Sequence, residues 1–368
     1  MSTKMVAYTR SGKTSPSSNF RILQYLPYIK TKISARKLSS DYLYQHHGKA
    51  STIFQKMYWY SLYYLQIQFR LTFYLLMDII NPPRCIIIQR ALSPKFVFPW
   101  NKALMIFVIK RTKTIIWDFD DDISCSKEIT SFENKLLESN ADTIVVTGSI
   151  LKKRLPKNIQ SRVKILPTTD GQMVRNDSIT LINQRKNSYN KAIELLWLAT
   201  ATSLPFLEKI IDELEKAGEI ILAKYQKKLT LHVVCNKPLN YIGKNFFIDN
   251  VEWSEQSAHQ MMIQSHIGLM PLLDTDFCRA KGGFKLLQYK AAALPSVASA
   301  IGINTMYVND GIDGFLIGKN YPNSWSSAIV HLADNWTRYS IMSENARDNW
   351  DNNYSFNNNL EQWKLMLQ

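Results

Sequence analysis

Cysteine is sparse in this chain and scattered. Cys85, Cys125, Cys235 and Cys278 are the four present in 368 residues. None shares a spacing with another that suits a zinc site or a disulfide framework, and a reducing compartment fits. An apolar h-region is missing from the polar, basic segment between Met1 and Lys30, so no secretory signal peptide is expected. Histidine is equally thin, and none of the six lies in a motif that marks a catalytic group. His46 and His47 fall in a polar segment and read as solvated; His232, in a strand pattern, reads as core and His266 as a packing residue. No general base is named. Stacking or groove-reading modules are also lacking, which sets nucleic acid aside as a partner.

Positive charge is plentiful and unevenly placed. Residues 1–180 hold 27 Lys+Arg against 12 Asp+Glu and carry the whole net charge of +15, whereas residues 181–368 hold 18 of each. A half so basic favours an anionic partner, such as a membrane surface or a lipid-linked phosphate. The length suits two domains, each with its own core.

The most apolar stretch, Ile53 to Ile80, is interrupted by Lys56, Gln66, Gln68, Arg70 and Asp78. A lipid-exposed span rarely tolerates so many polar groups, so no transmembrane segment is read. Two readings stay open: a helix covered partly by its own domain, and one lying in the membrane interface with tyrosines and Trp59 at headgroup level. Ala103 to Lys113 offers a second surface of that kind.

β-like runs at Val6–Thr9, Cys85–Gln89, Thr114–Trp117, Ala141–Thr147, Leu195–Leu198, Leu229–Val234 and Ile267–Leu272 alternate with helical patterns, among them Arg21–Ile29, Gly148–Leu155, Leu204–Leu214 and Trp325–Leu332. Such alternation is that of open α/β sheets. Gly171 to Asn190, polar and with four Asn, reads as a linker. Beyond the Thr114–Trp117 run stands DFDDD, Asp118 to Asp122, where such sheets place ligands. Asp118 and Asp120 would suit a divalent cation, and Asp121 or Asp122 would suit a helix cap.

The segment from Asp276 to Gly314 organises the rest. A basic, glycine-containing turn (Arg279, Lys281, Gly282, Gly283) opens onto an apolar-periodic run from Phe284 to Ala292, ended by Pro295. Glycines allow close backbone approach, and a helix starting near Phe284 aims free N–H groups at an anion. Lys281 and Lys285 would add charge on one side of the first turn. A short strand, Ser296–Ser299, and a turn with Gly302 and Asn304 follow.

RAKGGFKLLQYKAAALPSVASAIGIN, followed by NDGIDGFLI, resembles the donor-binding signature of glycosyltransferase family 4, in the subgroup that builds bacterial cell-surface polysaccharides. The resemblance implies an α/β fold of GT-B architecture: two Rossmann-like domains facing each other across a cleft. Residues 1–180 would bind acceptor and 190–350 donor, with 351–368 a helix crossing back to the first domain. It implies transfer from a UDP- or GDP-linked nucleotide sugar to a glycan or lipid-linked acceptor, with retention of configuration, no metal and no cofactor. A cytoplasmic enzyme peripheral on the inner face of the plasma membrane, contacting anionic lipid, would account for the charge. The residues it marks are Lys281, Lys285, Asp118 and Asp120 for catalysis. Ala199, Thr200, Gly282, Gly283, Phe284, Leu287, Gln288, Gly302 and Asn304 are marked for the donor, and Ser17, Ser18, Arg21, Arg90 and Asp121 for the acceptor side. In that subgroup the segment matching DFDDD has no donor-metal role.

The sequence departs from the pattern at several places. Ala280 and Gln288 stand at the ends of the family's Glu-x7-Glu, Ala199 and Ala293 where glycine is usual, Lys290 where methionine is usual, and His266 where an aspartate commonly precedes Ile-Gly. These changes leave a second function open, that of an inactive GT-B homologue serving as a binding or scaffold subunit.

Overall fold

The computed structural model describes residues 4–50 and 52–368, which form two compact units. The first takes the chain up to Thr168 together with Ala280–Gly282 and Asn357–Gln368; the second takes Thr169–Arg279 and Gly283–Phe356.

Among the described residues each unit is built on a six-stranded sheet paired in parallel throughout. In the first, β1 (Met5–Thr9), β2 (Ile33–Lys37), β3 (Cys85–Gln89), β4 (Thr114–Phe119), β5 (Thr143–Val146) and β6 (Val163–Ile165) lie in the order β2-β1-β3-β4-β5-β6. The central strands are short continuous apolar runs, Ile86–Ile88 and Ile144–Val146 for instance, because helices cover both faces. The edge strand β2 is polar and largely exposed, and this masks it in the sequence. In the second unit β7 (Ala192–Leu198), β8 (Lys228–Cys235), β9 (Phe247–Glu252), β10 (Ile267–Met270), β11 (Ser296–Ser299) and β12 (Gly314–Ile317) take the order β12-β11-β10-β7-β8-β9. This is the doubly wound order in which the winding reverses between β7 and β10. Alternation along β7 supplies two layers: Ile193, Leu195 and Trp197 join one core, and Leu196 and Leu198 the other.

Several local expectations change. Arg21–Ile29 is not an α-helix but a π turn, Asn19–Leu23, followed by a 3-10 turn at Leu26–Tyr28. Pro27 cannot donate to a helical ladder and its ring would clash one turn back. Leu204–Leu214 divides into helices Leu204–Glu208 and Ile211–Tyr225. His46 and His47 are not solvated; both rings pack on aromatic residues of the helix Ile53–Ile80, with His47 stacked 4.3 Å from Tyr63. Burial, with Arg10 nearby, pushes the His47 imidazole down to about 4.

The expected linker contains a helix, Ser178–Tyr189, capped by Asp177, which accepts from the Thr180 N–H at 3.0 Å. Its reason is Arg185. This guanidinium is buried and donates to four carbonyls: Met262 at 2.9 Å, Ile263 at 3.0 Å, Ala292 at 2.6 Å and Ala293 at 2.7 Å. Those carbonyls belong to the C-terminal ends of the helices Glu255–Gln264 and Phe284–Ala291, where the partial charge is negative. Ala293 itself has φ 52°, a costly conformation for an L-residue, held by that hydrogen bond and by packing of its methyl on Leu181 and Ile182. Lys290 is explained as well: it is fully buried and ion-paired to Asp313 at 2.5 Å, and Asp313 also accepts from Asn309 and Asn349.

His266 is a core residue. Its Nδ1 accepts from the Glu194 N–H at 2.9 Å and burial pushes it down to about 4. His232, by contrast, is only partly covered and bridges Glu194 and Asp249 across β7, β8 and β9, each at 2.9 Å. Burial lowers its pKa, but the two carboxylates outweigh this and raise it above the ordinary value.

Two outcomes follow for stability. Arg185→Met leaves four carbonyls without their donor and should cost about 3 kcal/mol or more, read as a lower urea midpoint. His232 has a raised native pKa, so its contribution is complete below the unfolded value of about 6.5 and is lost as pH rises through the native one. The wild-type advantage in urea midpoint over His232→Gln should therefore be larger at about pH 5.5 than at about pH 9.

Candidate active site

In the second unit the residues marked for the donor gather around the carboxyl ends of β7, β10 and β11. The helix Phe284–Ala291 is set there by its middle. The Tyr289 hydroxyl accepts from the Leu198 N–H at 3.2 Å and donates to the Leu269 carbonyl at 3.3 Å, tying it to β7 and β10 where the winding reverses. Its ring fits because residue 268 is glycine; a Cβ on Gly268 would stand 2.3 Å from the ring.

Gly283 caps the start of this helix at φ 66°, and a side chain there would meet Ile303 at 2.6 Å. Both backbone and space therefore call for glycine. Lys285 is half-buried in the first turn; its ammonium donates to Gln288 Oε1 at 3.1 Å and lies over the Phe284 ring at 5.2 Å. Gln288 in turn donates to Asp170 at 2.9 Å, a buried carboxylate that also accepts from the Gln172 N–H. Burial pushes Asp170 up, opposed by these two donors. Gly302 takes φ 57°, and a Cβ there would stand 2.4 Å from the Arg279 carbonyl oxygen; Asn304, buried, donates to the Ser299 carbonyl at 3.0 Å while its Oδ1 finds no partner among the described residues. Thr200 is exposed and Ala199 half-buried in the turn after β7. Ala199 is not a positive-φ residue, so its methyl brings no backbone strain. Leu287 is different: it is fully buried with Leu286 in the core and presents nothing to solvent.

In the first unit the carboxyl ends of β1, β3 and β4 carry a network of guanidinium and carboxylate groups. Arg21 grips Asp118 through Nε and Nη2 and donates to the Leu166 carbonyl at 2.5 Å, all within the interior. Burial disfavours both charges, and contact with Asp118 nevertheless holds Arg21 above its ordinary value. Arg90, at φ 62°, donates to Asp120 at 2.6 Å, to Glu128 at 2.7 Å and to Ser17 Oγ at 3.3 Å, and is ion-paired with Asp121 at 3.4 Å. Ser17 Oγ donates to Asp120, and Ser18 Oγ lies 3.5 Å from Gln89 Oε1. Arg10 reaches Glu128 at 2.5 Å. Burial pulls Glu128 up, but Arg90 and Arg10 together prevail and leave it at about 2.

The segment Ala280–Gly282 belongs to this unit. A Cβ on Gly282 would stand 2.8 Å from the Asp120 carbonyl and 2.9 Å from Thr147 Oγ1. Partial burial and Asp120 push the Asp121 carboxyl up, and Arg90 and Lys281 pull it down. Ser17, Ser18, Arg21, Arg90, Asp118, Asp120, Asp121 and Lys281 are thus brought together. Sequence reasoning missed Arg10, Glu128 and Glu133 here, and Asp170 in the second unit. Glu133 accepts from the Leu92 and Ser93 N–H groups beneath the loop after β3, and burial pushes it up to about 7. Position just past a strand end was a usable signal for Arg10; none of the others has one. Among the described residues no group of three or more His, Cys, Asp or Glu is arranged to hold a metal ion; the Asp118 oxygens both meet Arg21, and those of Asp120 meet Arg90 and Ser17.

Residues 198–335 match the model of the family described as glycosyl transferases group 1. No protein of curated function matches the chain significantly in sequence. Solved structures resemble it over their full length. HepE of Anabaena, in complex with UDP and glucose, covers 99% of each chain with a TM-score of 0.61 at 11% identity. The glycosyltransferase of Rickettsia africae ESF-5 covers 99% of this chain and 97% of its own with a TM-score of 0.58 at 13% identity. MnaA of S. aureus, in complex with UDP, covers 98% and 94% with a TM-score of 0.52 at 11% identity. Likeness at such identities speaks for the fold. Residues 198–335 thus match the group 1 glycosyl transferases, within a fold of two doubly wound parallel sheets of the GT-B type.

Proposed function

We propose that the protein moves a sugar from a nucleotide-sugar donor held by the second unit to a glycan or lipid-linked acceptor held by the first. The observation that carries this reading is the start of the helix Phe284–Ala291. Gly283 opens it in the left-handed region, Lys285 stands in its first turn, and it is pinned to the sheet at the winding reversal. The positive dipole end and a cation at one helix start suit a diphosphate. In sugar transfer the costly event is growth of negative charge on the departing diphosphate, and preorganised donors aimed at it lower the barrier. Lys285 and the backbone of Gly283 and Phe284 fill that role; Lys281 is assigned to catalysis by the motif alone. Gln288 and Asp170 act through Lys285 by fixing its position.

UDP is favoured over GDP as the nucleotide because HepE was solved with UDP and with UDP-glucose, and MnaA with UDP. Retention of configuration, a donor step without metal, and a place in bacterial surface-polysaccharide assembly rest on the motif from Arg279 to Asn304. Arginine pairing of Asp118 and Asp120 supports an acceptor-side role for them, with Ser17 and Arg90 positioned alongside. The rival reading, a non-catalytic scaffold subunit, drew on the lost glycines. Ala199 carries no positive φ, and Ala293 is strained only at the far end of the donor helix.

UDP at about 100 times its dissociation constant should stabilise the protein by about 2.7 kcal/mol, read as a rise in Tm that EDTA does not remove. In Lys285→Ala the rise should shrink and turnover fall about a hundredfold or more, with circular dichroism unchanged. Unaltered turnover would remove Lys285 from the chemistry, and no shift with UDP, GDP or their sugar conjugates would turn the assignment toward a scaffold.

A further inference from the structure

The helix Ile53–Ile80 is apolar on two opposite sides. Tyr63, Ile67, Leu71 and Leu75 form the stripe buried against the first sheet's core. On the other side Phe54, Tyr58, Leu65, Phe69, Phe73 and Ile80 recur at steps of four and seven, which places them on one face about 39 Å long. All six are exposed, Phe54 by 85% and Ile80 by 84% at the two ends. A helix on a globular surface normally turns charged residues outward, and a continuous exposed apolar row marks a contact surface.

Charge identifies what covers it. The helix Pro99–Arg111 runs beside this one, and between them they contain a single acid, Asp78, whose side chain is fully buried and paired with Arg36 and Lys4. Their exposed positions carry Lys56, Lys102, Lys110 and Arg111. The Arg111 guanidinium lies 4.9 Å from the centre of the exposed Phe107 ring, an apolar body with a charged head. An apolar row beside a helix that ends in the exposed cations Lys110 and Arg111, with no exposed acid on either helix, complements a layer whose interior is apolar and whose surface is anionic. A second copy seated there would bring two basic fringes together. None of the described helices is long and apolar enough to cross a membrane, which is consistent with a helix that lies in the surface plane.

We propose that the outer face of Ile53–Ile80 lies in the interfacial layer of an anionic membrane, its aromatic rings among the upper acyl chains and its lysines and Arg111 on the lipid phosphates. This does not depend on the donor assignment. The test is flotation of the full-length protein with vesicles of phosphatidylcholine alone or mixed with phosphatidylglycerol, at low and high salt, for wild type and for Phe69→Glu/Phe73→Glu. Both substituted residues are exposed, so the fold should be kept, as circular dichroism and the Tm shift with UDP would report. Wild type should float with the anionic vesicles, more weakly at high salt, and the double variant should lose about tenfold or more in partition. Absence of wild-type flotation at low salt would overturn the proposal, as would equal flotation of the variant. A wild-type dimer in sedimentation that the same two changes dissociate would overturn it in favour of a second copy. Lost flotation with an unchanged UDP shift separates failure at the membrane face from failure at the donor site.

Discussion

One hydroxyl group holds the second unit in register. Beyond the last β7–β10 pair, Gly268 with Leu196, the Tyr289 hydroxyl links the two strands, accepting from Leu198 and donating toward Leu269. Burial pushes this phenol far above its ordinary range, so it stays a neutral donor and acceptor at any working pH. The ring occupies the space that a side chain on Gly268 would take. Because Tyr289 sits in the middle of an eight-residue helix, fixing it also fixes the helix start one and a half turns earlier, with Gly283 and Lys285. The position of the helix start is thus inherited from packing well behind it.

The first unit solves its problem with charge. Four carboxylates and three guanidinium groups meet beyond β1, β3 and β4, and each arginine is matched to at least one acid. Removing one partner would strand the other in a poorly solvated place, so the members stand or fall together. Arg90 also sits at φ 62°, and its contacts with Asp120 and Glu128 offset that backbone cost.

Much of this was legible in the residues, and the exceptions have causes. Ile86–Ile88 and Ile144–Val146 declare themselves because a strand covered on both faces must be apolar throughout. The edge strands β2 and β9 keep one side in water and lose that signal. Gly283 could be read because a left-handed helix start has few alternatives to glycine. Arg185 could not, since carbonyl acceptors have no sequence signature, and without it Ser178–Tyr189 looks like polar filler. Lys290 looked like a misplaced methionine until Asp313 stood beside it. Leu287 sat within the right motif on the wrong side of its helix.

The four carbonyls around Arg185 have a further meaning. A guanidinium neutralised by the dipoles of two helix ends keeps its partners at any acidity, because peptide oxygens do not take up protons in the range where carboxylates do. The carboxylates of Asp118 and Glu128 have no such immunity, and the partly exposed Glu128 is also open to screening by salt. Acid and ionic strength therefore bear on the Arg21–Asp118 and Arg90–Glu128 pairs in a way that they cannot bear on Arg185.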